Sequence, residues 1–190
     1  MDFEKFARLE IQSAQTLWEW LGAHHAQQAS VWLVTHKAAD RSKYVSREEV
    51  LDALIAYGWI DGRRLKLDDT RTMQLIGPRK QQAWAQSYKV RAERLQADGR
   101  MRASGLAALQ AGKSGGLWAQ SDPIDALIDP PDFTAALQAA GANLWWEQAA
   151  PSYRRNILRW IAGAKRAETR QGRIDTVVAH AQRGHKLPQY

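Results

Sequence analysis

No cysteine occurs in the 190 residues. Disulfides, cysteine–zinc sites and thiol catalysis are therefore all excluded. No stretch approaches the ~20 apolar residues of a membrane span. The N-terminal MDFEKFARLEIQ has mixed charge and lacks the apolar run of a signal peptide. Both observations lead us to expect a cytoplasmic protein. The motifs G-x-S-x-G, G-x-G-x-x-G, H-E-x-x-H and the Walker-type loop are missing. Lys113-Ser-Gly-Gly resembles a phosphate loop in composition only and reads as a flexible loop. His24 and His25 are adjacent, so on a helix they point about 100° apart and do not share a metal. No cofactor and no metal site is expected, and no internal repeat or low-complexity tract is visible.

What the chain does have is tryptophan and unevenly placed charge. Nine Trp bury large areas, and each indole N–H needs a partner. The net charge of +7 divides into −2 over residues 1–57, +7 over 58–120, −5 over 121–150 and +7 over 151–190. Two basic blocks thus flank an acidic one. The simplest account is internal complementarity; the functional one is a basic surface for a polyanion or acidic partner.

Local signals place the elements. Ser13 caps a helix whose apolar face carries Leu17, Leu21 and either Trp18 or Trp20. VWLVTHK at 31–37 is a β-branched run of strand length. Ser46-Arg-Glu-Glu49 has the capping-box pattern and opens VLDALIAYG. WIDGRRLKL and TMQLI read as a hairpin over 59–77. The turn falls at Asp68-Asp69, and Gly62 marks a bulge or a close backbone approach. Simple alternation then puts Trp59, Asp61, Arg63 and Leu65 on one face. FARLEIQ at 6–12 is a further strand candidate. Residues 81–98 and 103–112 read as helices, as do 132–141, 143–149 and 152–183, so the last third carries no strand signal. The expected class is α+β: a small antiparallel sheet of three to four strands with packed helices in residues 1–120. A helical C-terminal part, 121–190, is expected to pack on it.

Two groups of residues invite a functional reading. Taken as one helix, 152–180 brings Arg155, Arg159, Arg166, Arg170 and Arg173 into about a 60° sector, a ridge suited to phosphate. The hairpin draws together Trp59, Asp61, Arg79, Lys80 and Trp84: one carboxylate, two cations and two aromatic rings. Such a set suits a small anionic or aromatic ligand, or else an ion pair beside core tryptophans. Asp61 as a general base is a third reading.

The same segments carry a family resemblance. WLGAHHA (20–26), VWL (31–33), EEVLDALIAYGWIDG (48–62), GPRK (77–80), LQADGRM (95–101), SGLAAL (104–109) and AKRAETRQGRI (164–174) are similar to the bacterial YdeI/OmpD-associated family, also described as bacteriocin-protection proteins. Ala56-Tyr57 stands where that family often has Cys-Phe, and Ser87-Tyr88 departs from its W-S-x-x-N pattern. The resemblance implies a stress or bacteriocin-tolerance role and supplies no catalytic residues. The expectation is a non-enzymatic protein that binds a small anionic or aromatic ligand or a protein partner. Nucleic-acid binding through the arginine-rich helix is one alternative, and an enzyme using Asp61 is another. Periodicity leaves the oligomeric state open.

Overall fold

Ser46 accepts a hydrogen bond from the Glu49 backbone N–H at 3.2 Å, while the Glu49 carboxylate accepts from the Ser46 backbone N–H at 2.8 Å. This reciprocal cap starts the helix that anchors the sheet. The computed structural model describes residues 5–189. Its elements, in order, are β1 (Arg8–Glu10), α1 (Ala14–His24), β2 (Val31–His36), α2 (Arg47–Ala56), β3 (Trp59–Lys66), β4 (Arg71–Pro78), α3 (Gln86–Ala97) and α4 (Ala103–Ser114). There follow α5 (Asp122–Asp125), α6 (Pro131–Ala139), α7 (Asn143–Gln148), α8 (Pro151–Ala162) and α9 (Ala167–Gln182). The fold is α+β. The chain forms two compact units, residues 1–120 and 121–190.

The strands of the first unit lie in the order β1-β2-β4-β3. β2 with β4 and β3 with β4 are antiparallel, but β1 pairs in parallel with β2. The sheet is therefore mixed rather than wholly antiparallel. The connection explains this: α1 lies between β1 and β2, a crossover long enough to bring the chain back in the same direction.

In the hairpin, Trp59 pairs with Pro78 and Lys66 with Thr72. The turn sits at Asp68-Asp69 as its residues suggest. Asp68 Oδ1 accepts from the backbone N–H groups of Thr70 (2.9 Å) and Arg71 (2.7 Å), the side-chain-to-backbone pattern that favours Asp in turns. The register shifts between Asp61 and Arg64, where Gly62 lies. This bulge breaks the alternation. Trp59 packs with Val31, Leu33 and Ile76 under α1 and α2, whereas Leu65 packs on the opposite face with Trp32, Val34 and Met73. The expected single face of Trp59, Asp61, Arg63 and Leu65 does not form, because one extra residue inverts every side chain after it.

A third cluster joins α2, α3 and α4 through Ile55, Ala56, Trp84, Ala92, Leu95 and Leu109. α4 approaches closely because it carries glycine where it touches its neighbours. A β-carbon at Gly105 would overlap the Ala56 carbonyl, and one at Gly112 would overlap the Trp84 indole nitrogen. α3 begins at Gln86 rather than 81, and α4 runs on to Ser114, through the start of the expected 113–116 loop.

Helices are the regular secondary structure of the second unit's described residues. Its core gathers Phe133, Leu137, Trp146, Tyr153, Ile157, Ile161, Ile174 and Val177. Among the described residues no helix is long and apolar enough to cross a membrane.

Candidate ligand-binding site

The base of the hairpin is closed by the Arg79 backbone N–H, which donates to the Gly58 carbonyl at 2.9 Å. The five hairpin residues separate here into two buried rings, one half-buried cation, one half-buried carboxylate and one exposed cation. Trp59 is fully buried, and its indole N–H donates to the His25 carbonyl at 3.0 Å. Trp84 is also buried, with the Trp118 ring 5.3 Å away. Neither offers a free face for a ligand to stack on.

Arg79 is held between aromatic rings. Its guanidinium carbon lies 4.1 Å from the Trp84 ring centroid and 5.2 Å from that of Tyr88, within cation–π range. Nη1 donates to the carbonyls of Gln82 (3.1 Å) and Ala83 (3.3 Å), which keeps the 79–85 segment out of α3. Nε and Nη2 are buried with no hydrogen-bond partner among the described residues. Burial lowers the Arg79 guanidinium to about 10, and the nearby Tyr88 and Asp61 partly oppose this.

Asp61 accepts from the Tyr88 hydroxyl at one oxygen and from Gln74 Nε2 at the other, the latter at 2.8 Å. Burial, then the Asp61 hydrogen bond and charge, push the Tyr88 hydroxyl well above the ordinary tyrosine value. Arg79 is close enough to Asp61 for its charge to be favoured by that carboxylate. The two interact through space, and Tyr88 links them by a hydrogen bond to one and a ring face to the other.

Lys80 behaves differently. It is exposed and has no carboxylate partner among the described residues. With Ser30, Asp61, Gly62, Gly77 and Gln82 it lines a cleft of about 330 Å³ at the hairpin base. Of the sequence-selected residues, Asp61 and Lys80 reach this cleft. Trp59, Arg79 and Trp84 do not line it.

The arginine ridge is not continuous. The expected single helix over 152–183 is two, α8 and α9, separated at residues 163–166. Arg173 Nη1, from α9, donates to the Trp160 carbonyl near the end of α8 and so satisfies a terminal carbonyl group. Most of the ridge residues are also engaged within this unit. Arg159 pairs with Asp125 at 3.0 Å, and Arg155 Nε donates to the Asp125 carbonyl at 3.4 Å. Arg170 makes a two-pronged pair with Asp132 at 2.7 and 2.9 Å. Arg166 stands at the break, exposed, as the N-cap residue of α9. Within this unit the acidic segment 121–150 thus pairs with the basic segment 151–190.

One polar centre escapes the sequence reading. Asp52, a buried carboxylate in α2, accepts from Arg91 (2.5 Å), Arg94 (2.5 Å) and Arg100 (3.3 Å), while Arg91 also pairs with Glu48. Burial disfavours the charged carboxylate, but hydrogen bonds from Arg91 and Arg94 outweigh this and hold Asp52 below the usual carboxylate range. The available signal is one acidic residue inside the apolar run VLDALIA. Among the described residues no group of three or more His, Cys, Asp or Glu is placed to hold a metal ion.

Two family models match the chain. Residues 9–108, more than half its length, match the family described as a domain of unknown function (DUF8412), and the chain belongs to that family. Residues 126–184 match the family described as "Bacteriocin-protection, YdeI or OmpD-Associated", which supports the resemblance drawn above. That second match falls on the helical unit, whereas GWIDG and GPRK lie within the first. Nothing among curated proteins or solved structures matches the chain.

Proposed function

We propose that this chain is a non-enzymatic cytoplasmic binding protein, and that the cleft at the hairpin base takes a small anionic ligand. One observation carries the reading: Lys80, which has no carboxylate partner among the described residues, lines the same cleft as a fixed carboxylate, Asp61. Both Asp61 oxygens already accept hydrogen bonds, from Tyr88 and Gln74. An aspartate held in this way suits a wall that selects for a donor better than it suits a general base. The ligand of best fit therefore has an anionic group for Lys80 and a hydroxyl or amino donor towards Asp61. A role in stress or bacteriocin tolerance is supported by the family description matched at residues 126–184.

Thermal melting of the full chain tests this, with glycerol 3-phosphate and lactate as small anions that carry a hydroxyl. At about 100 times Kd, a ligand that binds the folded state alone adds about 2.7 kcal/mol. The wild-type chain is expected to melt higher with one of these anions, and Lys80→Gln to lose that gain. No change with either anion, or an equal gain in Lys80→Gln, overturns the reading.

A further inference from the structure

A second cleft, of about 390 Å³, opens in the first unit where α1 meets the end of α2 and the 98–102 turn. Its wall is aromatic and its charge is mainly positive. Trp18 and Tyr57 meet edge to face, with centroids 5.6 Å apart and an interplanar angle of 64°. Two guanidiniums converge on the same indole: Arg100 at 5.1 Å and Arg102 at 5.6 Å from the Trp18 centroid. Arg100 uses one N–H on Asp52 at 3.3 Å. Arg102 has no carboxylate partner among the described residues, and its side chain makes no cap for α4. Both arginines are exposed.

The remaining lining fits the same pattern. The Tyr57 hydroxyl has no hydrogen-bond partner among the described residues. It lies beside Gly22, where a β-carbon would come within 3.3 Å of it. The single carboxylate on the lining is Glu19, already held by Gln15 Nε2 at 2.8 Å. Arg100 is paired with Asp52, so Arg102 is the lining cation without a carboxylate partner among the described residues, and it lies beside an aromatic corner. Volumes of about 300 Å³ upward accommodate small organic molecules.

We infer that this cleft is a binding site for a planar organic anion, an aryl carboxylate or aryl phosphate. Its ring packs into the Trp18–Tyr57 corner and its anionic group is taken by Arg102 and Arg100. Arginine suits this role because its planar fork gives paired bonds to carboxylate or phosphate and lies flat on aromatic faces. The site shares no residue with the hairpin cleft and does not depend on that reading.

The test follows the Trp18 indole N–H resonance in the full ¹⁵N-labelled chain during titration with 1-naphthoate, 1-naphthyl phosphate, neutral 1-naphthalenemethanol and inorganic phosphate. At least one of the two aryl anions is expected to give a saturable shift, and the better of them shows which anionic group is preferred. The neutral alcohol and inorganic phosphate should each bind about tenfold or more weakly, having lost either the charged hydrogen bonds or the ring. Arg102→Gln should weaken the preferred anion about tenfold, and Arg102→Lys less, since the charge is kept. Lys80→Gln should leave this binding unchanged. Failure of both aryl anions to shift Trp18, wild-type affinity in Arg102→Gln, or loss of binding in Lys80→Gln overturns the proposal.

Discussion

Tyr88 donates its hydroxyl proton to Asp61, 27 residues earlier in the chain, and its ring face lies against the Arg79 guanidinium. One phenol thus contacts both the carboxylate, through its hydroxyl, and the half-buried cation, through its ring. Tyr88→Phe keeps the ring and removes the bond, which leaves one Asp61 oxygen without its donor. A hydrogen bond to a charged group contributes about 1.5–3 kcal/mol. Chemical denaturation is expected to show a loss in that range. A change within error would mean that Asp61 is well hydrated without Tyr88.

Asp52 contributes to the acid limit of the first unit. Its folded carboxyl titrates below its ordinary value of 3.8. The stability it contributes is therefore complete above the ordinary value and is lost as pH falls through the depressed folded value. Asp52→Asn should flatten the pH dependence of the unfolding free energy below about pH 4. At neutral pH it should cost about 2–3 kcal/mol, less than a fully buried pair because Arg94 and Arg100 are partly solvated. Denaturation series at pH 3 to 7 measure both effects.

Two glycines separate close packing from mere flexibility. Gly105→Ala places a methyl against the Ala56 carbonyl and should destabilise the chain by about 2 kcal/mol or more. Gly172, inside α9, has open space around it, so Gly172→Ala should stabilise by about 0.5–1 kcal/mol. Melting temperatures that move in opposite directions would confirm both assignments.

The arginines of α8 and α9 are expected to act within their own unit. Arg159→Ala and Arg170→Ala should each cost about 0.5–1 kcal/mol of stability, as partly exposed pairs do. They should also leave the salt dependence of duplex-DNA binding unchanged. A phosphate-contacting arginine would instead flatten the log–log slope by about one unit.

These results show what a chain of residue types reveals and what it conceals. The Ser46 capping box, the Asp68 turn and the bulge near Gly62 were legible because each is encoded within a few neighbouring residues. The phase inversion beyond Gly62 was not, since alternation alone assigns Leu65 to the wrong face. Helical periodicity ran across Gly163 and joined α8 to α9, because the contact that ends α8, Arg173 on the Trp160 carbonyl, lies 13 residues further on. Asp61 and Lys80 were visible as charges near GWIDG and GPRK. The partners of Asp61, Gln74 and Tyr88, were not, since only the fold brings them within reach. The Trp18–Arg100–Arg102 corner was hidden for the same reason: its residues come from opposite ends of the first unit.

The most direct test of the hairpin-cleft account is an amide chemical-shift titration of the full chain with glycerol 3-phosphate. Saturable shifts centred on Gly62, Gly77 and Gln82, lost in Lys80→Gln, are the predicted result. Absence of saturable shifts at those three amides, or the same titration curve in Lys80→Gln, would contradict it.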